Sequence, residues 1–271
     1  MKTVLVTGAA GSIGSELCRQ LSAKYKVIAL DQDESRLFDL QQEITITPVI
    51  ADIRDMERMG RVFANYKPEI VFHAAAYKHV PLMEKFPREG WKTNVIGLMN
   101  VALNAVYFGV KQFVFVSSDK AVNPSNHMGK TKKMGEGLCR QLAGDMMVTV
   151  VRFGNVLASR GSVIPLFKQQ IEKGEITLTH PDMERYFMTI PDSVELIQKA
   201  ASLEAGTYIF DMGKPVKIAD LADLMIKISG KKVTTKWIGV RPGEKLTEEL
   251  YSGTEKLTKT KFPNIKQVCL K

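Results

Sequence analysis

The chain has 271 residues, of which 45% are hydrophobic and 25% are charged, and this composition is typical of a globular protein with one large core or two unequal ones. It excludes a disordered or fibrous chain. The formal net charge of +9 favours anionic partners, such as dinucleotides, nucleotide diphosphates, nucleic acid or an acidic membrane face. Because the basic residues are scattered and form no stripe interleaved with aromatic residues, we expect no nucleic-acid partner.

The apolar runs and the cysteines bear on cellular location. The N-terminal apolar run is about six residues long, too short for a signal sequence, and no run approaches the roughly 18 apolar residues of a membrane span. We therefore expect a cytoplasmic protein without a membrane span. Cys18, Cys139 and Cys269 are widely spaced and form no Cys-x-x-Cys motif, so neither disulfides nor a metal site are expected.

Up to about residue 155, short β-branched runs alternate with amphipathic stretches of helix length. The predicted strands are 3–6, 26–30, 47–50, 70–73, 113–116 and 147–152. The predicted helices between them are 14–22, 55–65, 91–107 and 128–142. Strands that alternate with crossover helices predict a parallel sheet covered on both faces, which is a doubly wound α/β fold.

After residue 155 this alternation ends, and a second, smaller region begins. The elements predicted there are a strand at 175–179, a helix at 191–203, a strand at 207–210 and a helix at 218–229 that Gly230 closes. The end of the chain is polar and rich in lysine, so we expect its last residues to be loosely ordered.

A glycine-rich segment, Thr7 to Gly14, follows the first strand and opens the first helix. Glycines at these positions let the backbone turn tightly and approach a pyrophosphate, which the helix N-terminus faces. Asp31 closes the second strand at the offset where an acid accepts hydrogen bonds from the ribose hydroxyls, which favours NAD over NADP. Arg36 is close enough in sequence to pair with a 2′-phosphate, so NADP remains open.

The sequence therefore predicts a dinucleotide-binding domain of the Rossmann type. It comprises residues 1–155, with 186–213 returning to it, whereas 156–185 and 214–271 form a smaller substrate-binding region. The expected cofactor residues are small or polar groups in the glycine-rich segment and at later strand ends: Gly8, Gly11, Ser12, Ile13, Gly14, Asp31, Asp52, Ile53, Ala74, Ala75 and Ala76.

Catalytic groups on an open α/β sheet lie at the carboxyl ends of strands, and the fifth strand is followed by Ser118, Asp119 and Lys120 and then by Met128-x-x-x-Lys132. Together with the glycine pattern and Asn94, this arrangement resembles the extended short-chain dehydrogenases/reductases. That family normally has a tyrosine at the position of Met128.

Further segments resemble one branch of the family, the UDP-N-acetylglucosamine 4,6-dehydratases of bacterial polysaccharide and glycoprotein biosynthesis. The resemblance spans essentially the whole chain and is carried by segments 76–84, 118–124, 152–156, 159–165, 179–189 and 241–245. It implies a lyase that uses tightly bound NAD(P) to oxidise a UDP-sugar at carbon 4, eliminates water across carbons 5 and 6, and returns the hydride to carbon 6.

The resemblance also implies roles for individual residues. Lys120 takes the carbon 5 proton, Asp119 protonates the departing hydroxyl, and Lys132 and Asn94 belong to the cofactor site. Met128 carries no proton, so another group has to replace the tyrosine, and Asp119 or a water that it positions is our candidate. Some members of this branch have methionine at the same position, so Met128 points to the branch rather than to a lost active site.

The substrate residues are likewise implied by the resemblance. Arg241 contacts the diphosphate, Glu244 contacts the ribose, and the strand with Thr177 and Thr179 flanks the uracil. The full expected set combines basic, polar and small residues in the matching segments: Lys78, Asn155, Arg160, Val163, Thr177, Thr179, Arg185, Arg241 and Glu244.

Two other functions remain open at this point. A nucleotide-sugar epimerase would share the oxidation at carbon 4 but would not need the Asp119-Lys120 pair, and a non-catalytic NAD(P)-binding protein would fit the missing tyrosine. The resemblance implies a homodimer. It leaves open the exact sugar, the configuration at carbon 5 and the completeness of the short C-terminus.

Overall fold

The structure is a computed structural model that describes residues 1–142 and 144–271. Its strands, in chain order, are β1 (Thr3–Thr7), β2 (Lys26–Asp31), β3 (Thr47–Ile50), β4 (Ile70–His73), β5 (Gln112–Val116), β6 (Met147–Arg152), β7 (Asn155–Val156), β8 (Glu175–Leu178), β9 (Glu184–Arg185), β10 (Phe187–Met188), β11 (Gly206–Phe210), β12 (Val216–Lys217), β13 (Thr234–Trp237), β14 (Glu255–Lys259) and β15 (Ile265–Leu270).

The helices complete the description of the chain. They are α1 (Ser12–Ser22), α2 (Glu34–Glu43), α3 (Met56–Tyr66), α4 (Val80–Lys85), α5 (Pro87–Trp91), α6 (Leu98–Tyr107), α7 (His127–Gln141), α8 (Val163–Glu172), α9 (Ile190–Ala201) and α10 (Ile218–Ser229). A π-helical stretch (Lys92–Gly97) joins α5 to α6, and a single 3-10 turn (Asp119–Ala121) follows β5. Among the helices described, none combines the length and apolarity needed to cross a lipid bilayer.

Nine strands form one sheet in the order β14-β15-β11-β6-β5-β4-β1-β2-β3. The seven strands from β11 to β3 pair in parallel, so the predicted doubly wound parallel sheet is confirmed. The direction of strand order reverses between β1 and β4. A crevice forms at such a reversal, outside the carboxyl ends of the strands, and ligands bind there in open α/β sheets.

The inner strands of the sheet are buried on both faces, which explains why β1, β4, β5 and β6 are largely apolar. Val4 and Leu5, neighbours in β1, are both fully buried but belong to different core clusters because successive side chains point to opposite faces. On one face the first cluster includes residues of α1 and α9, and on the other face the second cluster includes residues of α3 and α6.

A smaller region with its own core adjoins the sheet. Its buried residues are Phe167 and Ile171 of α8, Ile176 and Leu178 of β8, and Ala222 of α10. β8 pairs in parallel with β13, and the two-residue strands β9 and β12 pair with each other. Residues 156–185 and 214–238 thus contribute most of this region.

The last strands differ from what the sequence predicted. β14 and β15 form an antiparallel hairpin, and β15 pairs with β11, so the expectation of a loosely ordered end is wrong. Ile265 is fully buried, and this apolar residue anchors a hairpin that also carries Lys256, Lys259 and Lys266. Of the region 214–271 assigned to substrate binding, residues 255–270 therefore belong to the large sheet, and the rest of the division stays a proposal.

Candidate active site

The glycine-rich segment packs so tightly that side chains would not fit. Gly8 has a φ of +73°, and a Cβ atom there would lie 2.6 Å from the backbone nitrogen of Ala75 at the end of β4. A Cβ atom on Gly14 would lie 2.0 Å from the carbonyl oxygen of Gly8. Gly11 stands just before α1, and Ser12 and Ile13 form its first turn. Gly8 and Gly14 therefore let backbone segments approach each other more closely than any side chain would allow.

Asp31, at the end of β2, is fixed by the same segment. One carboxylate oxygen accepts a hydrogen bond from the backbone nitrogen of Ala10 at 3.0 Å, and the other accepts from that of Asp33 at 3.1 Å. Arg36 lies 3.1 Å from the carboxylate of Asp33, and both side chains are largely exposed. Arg36 is therefore paired on the surface, beside Asp33.

An open cleft runs along these strand ends, and most of the expected cofactor residues line it. The lining residues are Gly8, Gly11, Leu30, Asp31, Gln32, Ala51, Asp52, Ile53, Ala74, Ala75, Ala76, Tyr77 and Thr93. Five of them, Leu30, Gln32, Ala51, Tyr77 and Thr93, were not expected, and each is the immediate neighbour of an expected residue. Adjacency along a strand end was thus the signal that would have found them.

Asp52 and Ile53 follow β3 at the edge of the cleft. Burial alone would raise the pKa of Asp52, but hydrogen bonds and an ion pair from Arg54, at 2.6 Å, outweigh it and lower that pKa below its ordinary value. Ile53 is buried, and a Cβ atom on Gly97 would lie 2.6 Å from its Cδ1 atom. The π-helical stretch therefore packs directly against this part of the cleft.

Asn94 lies in the π-helical stretch, and its buried side chain is hydrogen-bonded within the protein. Its Oδ1 atom accepts from the backbone nitrogen of Tyr77 at 2.8 Å, and its Nδ2 atom donates to the carbonyl oxygen of Tyr77 and to Oγ1 of Thr131, both at 2.9 Å. Asn94 thus fastens the loop after β4 to α7. The structure gives it a bridging position beside the cofactor cleft.

Lys132 and Met128 occupy successive turns of α7 and are both buried. Nζ of Lys132 donates to the carbonyl oxygen of Val116 at 2.8 Å and lies 5.0 Å from the ring centre of Phe115. Burial lowers the pKa of Lys132 to about 8. Met128 packs in an apolar cluster with Val80, so this position offers no proton donor or acceptor.

The predicted acid and base meet in a buried group at the end of β5. Oδ1 of Asp119 accepts from Oγ of Ser118 at 2.8 Å and from Nζ of Lys120 at 2.9 Å. The other oxygen, Oδ2, is buried and has no hydrogen-bond partner among the described residues. Oδ1 of Asn155 lies 3.4 Å from Nζ of Lys120, so Asn155 belongs to this group as well.

Glu248 completes the group and was not expected. Its side chain is 3% exposed, and its Oε1 atom lies 3.7 Å from Nζ of Lys120. Burial raises the pKa of Glu248 above its ordinary value, against the opposing effect of Lys120. Nothing in the sequence distinguishes Glu248 from the neighbouring Glu249, since only the tertiary fold brings it to Lys120.

Two of the expected substrate residues lie beside the cofactor loop. The backbone nitrogen of Arg160 donates to Oγ of Ser12 at 3.1 Å, and its guanidinium group donates to the carbonyl oxygen of Ala10. Nζ of Lys78 lies 3.4 Å from Oγ of Ser159. The segment with Arg160 thus covers the glycine-rich loop, which is nearer to the cofactor cleft than the resemblance implied.

Arg185 is used internally rather than presented to a ligand. Its guanidinium group donates to the carbonyl oxygens of Glu184 at 2.6 Å, Leu246 at 2.9 Å and Lys245 at 2.9 Å. The side chain is buried and supports the segment that carries Glu248.

Arg241 and Glu244 form a turn next to α7. The backbone nitrogen of Glu244 donates to the carbonyl oxygen of Arg241 at 3.1 Å, and the two side chains lie 4.0 Å apart. The carbonyl oxygen of Gly243 accepts from Nδ2 of Asn126, the residue that caps α7, at 2.9 Å. The structure therefore brings this turn to within two residues of Met128.

The remaining expected residues lie in the smaller region. Val163 is the first residue of α8, after Ser162, whose buried hydroxyl has no hydrogen-bond partner among the described residues. Oγ1 of Thr177 accepts from Gln170 at 2.7 Å, and Thr179 directly follows β8. Among the residues that the structure describes, no three His, Cys, Asp or Glu side chains are grouped to hold a metal ion.

Known proteins resemble this chain in sequence and in structure. The family model described as polysaccharide biosynthesis protein matches residues 4–269. The capsular polysaccharide biosynthesis protein CapD of Staphylococcus aureus is 50% identical over an alignment 273 positions long, which covers 94% of this chain and 46% of CapD. The chain therefore spans about half the length of that curated relative.

Two solved structures share the fold over nearly the whole chain. The X-ray structure of Pen from Bacillus thuringiensis superposes with a TM-score of 0.91 at 34% identity, covering 99% of this chain and 86% of Pen. The UDP-glucose 4-epimerase of Thermotoga maritima, solved with UDP-glucose, gives a TM-score of 0.82 at 25% identity and covers 92% and 89% of the two chains.

Proposed function

The chain belongs to the polysaccharide biosynthesis protein family, as its motifs predicted, and from that premise we propose that it is an NAD-dependent enzyme that modifies a UDP-sugar. The specific reaction that we propose is the dehydration of UDP-N-acetylglucosamine to the 4-keto-6-deoxy sugar. The observation that carries this proposal is the ion pair between buried Asp119 and partly buried Lys120 at the carboxyl end of β5.

The cofactor cleft fits NAD. Its glycine cradle is closed to side chains, and Asp31 offers carboxylate oxygens that each retain acceptor capacity for a ribose hydroxyl. The same carboxylate would repel a 2′-phosphate, and Arg36 is paired with Asp33, so NAD is favoured over NADP. Bound NAD would supply the acceptor for the carbon 4 hydride and later its donor to carbon 6.

Three groups of the chain then account for the proton transfers. Asp119, through its unpartnered Oδ2, takes the proton of the carbon 4 hydroxyl that tyrosine takes in relatives. Lys120, in its neutral form, takes the carbon 5 proton, which the carbon 4 ketone makes acidic, and it returns a proton, exchanged with solvent, to carbon 5 when the hydride reaches carbon 6. Asp119 gives its proton to the hydroxyl that leaves carbon 6 as water, and Lys132 donates hydrogen bonds to the nicotinamide ribose.

We propose that the substrate diphosphate binds at the N-terminus of α8. Helix α8 begins at Val163. The residue before it, Ser162, has a buried hydroxyl without a hydrogen-bond partner among the described residues. Helix N-termini favour anions, because their backbone N–H groups are unsatisfied. Arg241, in the turn next to α7, offers a guanidinium group to the same diphosphate.

An epimerase is the second candidate, because the UDP-glucose 4-epimerase of Thermotoga maritima shares the fold at 25% identity. Epimerisation at carbon 4 needs no acid for a departing hydroxyl. The Asp119-Lys120 ion pair would then have no catalytic task, and this favours the dehydratase.

The products of one incubation distinguish these functions. We expect the purified protein, given UDP-N-acetylglucosamine and NAD in deuterated water, to form a 4-keto-6-deoxy sugar with deuterium at carbon 5, as followed by NMR. UDP-N-acetylgalactosamine as the product would establish the epimerase instead. If several UDP-sugars remain intact while NAD binds, the proposed activity is wrong.

The change Asp119→Asn tests the assigned role. It keeps the shape of the side chain but removes its capacity to carry a proton, so we expect turnover to fall by about 10²- to 10⁴-fold. The NAD dissociation constant should change far less. Asp39→Asn, on the exposed face of α2, is the matched control and should leave both values unchanged. Equal turnover in Asp119→Asn and the control would remove Asp119 from the mechanism.

A further inference from the structure

Two buried carboxyl groups share the ammonium group of Lys120. Oδ1 of Asp119 lies 2.9 Å from Nζ, and Oε1 of Glu248 lies 3.7 Å from it. The exposed fractions of the two carboxyl side chains are 1% and 3%. If all three groups were charged, one partly buried cation would face two buried anions, which is unfavourable. This arrangement therefore favours the protonated form of one of the two carboxyl groups.

The contacts indicate that Glu248 is the group that takes this proton. Asp119 accepts two hydrogen bonds, from Ser118 and Lys120, and both stabilise its ionised form. Glu248 meets Lys120 at ion-pair distance, and burial raises its pKa despite Lys120, Arg185 and Lys245, while Asp119 adds to the rise.

The two other cations near Glu248 donate their hydrogen bonds to backbone carbonyl oxygens and not to Glu248. Arg185 donates to three backbone carbonyl oxygens, and Nζ of Lys245 donates to the carbonyl oxygen of Val122 at 3.1 Å. They fix the segment that carries Glu248 against the turn that carries Lys120. Lys120 is thus the cation whose charge Glu248 influences most directly.

We propose that Glu248 is a positioning residue that controls whether Lys120 can act as a base. Neutral Glu248 lets Lys120 lose its proton to bulk water, while Asp119 stays ionised to take the proton of the carbon 4 hydroxyl. Ionised Glu248 keeps Lys120 protonated and therefore unable to accept the carbon 5 proton. The catalytic consequence rests on the proposed function, but the coupling of the two side chains does not.

The coupling is measured without substrate. We would label the lysines with ¹³C at Cε, load the protein with NAD, and follow the Lys120 signal against pH by NMR, identifying it by its loss in Lys120→Arg. In Glu248→Gln, the titration midpoint of Lys120 should fall by about one pH unit or more, because the nearby negative charge is gone. An unchanged midpoint would overturn the proposal.

Glu249→Gln is the matched control. Glu249 is the exposed neighbour of Glu248, and its carboxylate accepts from Nδ2 of Asn123 at 2.8 Å rather than contacting Lys120. This variant should leave the midpoint of Lys120 where it is in the unaltered protein. A shift of the same size in Glu249→Gln would mean that general surface charge, not Glu248, sets the midpoint.

The unaltered protein gives a second test that does not depend on the folding of any Glu248 variant. Its Lys120 signal should show an additional, smaller inflection at lower pH, where Glu248 ionises, before Lys120 itself titrates. A single inflection would overturn the coupling.

A pH profile of turnover links the coupling to catalysis. In the unaltered enzyme, turnover should rise with pH as Lys120 loses its proton, and in Glu248→Gln that rise should move to lower pH together with the Lys120 midpoint. If the two enzymes have identical pH profiles of turnover while the Lys120 midpoint is shifted, Glu248 does not control Lys120 as a catalytic base. If no UDP-sugar is converted at all, the proposed function fails while the NMR titration still decides the coupling.

Discussion

Lys132, which we propose contacts the cofactor, shows how a buried cation opposes stability. Burial lowers its pKa from 10.5 to about 8, so the charged form is disfavoured in the folded state. Below pH 8 the lysine is protonated in both the folded and the unfolded chain, and the full cost of burying the charge applies. Between pH 8 and 10.5 the unfolded chain binds the proton that the folded chain lacks, so stability rises with pH.

The change Lys132→Met should therefore raise the free energy of unfolding at pH 7, by on the order of 3 kcal/mol at most. The gain should shrink as the pH rises from 8 towards 10.5, and NAD affinity should fall. Urea unfolding across this pH range measures the first effect and calorimetric NAD titration the second.

Lys133→Met provides the control for this prediction, because Lys133 is the exposed neighbour on the same helix. Its effect on stability should stay within about 0.5 kcal/mol at both ends of the range. A gain in Lys132→Met that is the same at pH 7 and pH 10 would show that packing, rather than the buried charge, is responsible.

At the scale of elements, the sequence predicted what local pattern determines. All six predicted strands of the first 152 residues are present, and the helix predicted at 218–229 is found as Ile218–Ser229. The helix predicted at 91–107 is instead α5, the π-helical stretch and α6. Hydrophobic periodicity does not report a local widening of the helix, which here places Asn94 between the loop after β4 and α7.

Two glycines of α7 make the packing of that helix testable. A Cβ atom on Gly135 would lie 2.7 Å from Cζ of Phe115 and 2.8 Å from Cδ2 of Leu98, whereas one on Gly137 would meet open space. We expect Gly135→Ala to lower the free energy of unfolding by about 1 to 3 kcal/mol and Gly137→Ala to raise it by up to about 1 kcal/mol. Urea unfolding compares the two, and effects of the same sign would contradict the packing described.

At the scale of the whole molecule, the contacts that the sequence did not predict join distant segments. Glu248 lies beside Lys120 although more than a hundred residues separate them in the sequence. The hairpin of β14 and β15 pairs with β11, although its lysines at 256, 259 and 266 make the sequence resemble a polar tail. Exposed lysines are common on edge strands, because they discourage pairing with other chains. Composition alone therefore did not separate a protected edge from a loosely ordered end.

One buried arginine fastens this hairpin to the helix that carries Lys132. Arg152, at the end of β6, donates to the carboxylate of Glu136 in α7 at 2.8 and 2.7 Å, and to that of Glu255 in β14 at 3.0 and 3.1 Å. Only 1% of the Glu136 side chain and 7% of the Arg152 side chain are exposed. The positive charge of Arg152 therefore compensates the negative charges of Glu136 and Glu255.

Arg152→Met should lower the free energy of unfolding by about 3 to 5 kcal/mol, because Glu136 is left buried without its cation. Adding Glu136→Met to that variant removes the uncompensated charge and should recover part of the loss. Arg140→Met is the control, since Arg140 is 58% exposed and lies 4.0 Å from Glu136, and it should cost no more than about 1 kcal/mol. Urea unfolding measures all three variants. If the double variant is as unstable as Arg152→Met or less stable, the cost comes from lost packing and not from the buried charge of Glu136.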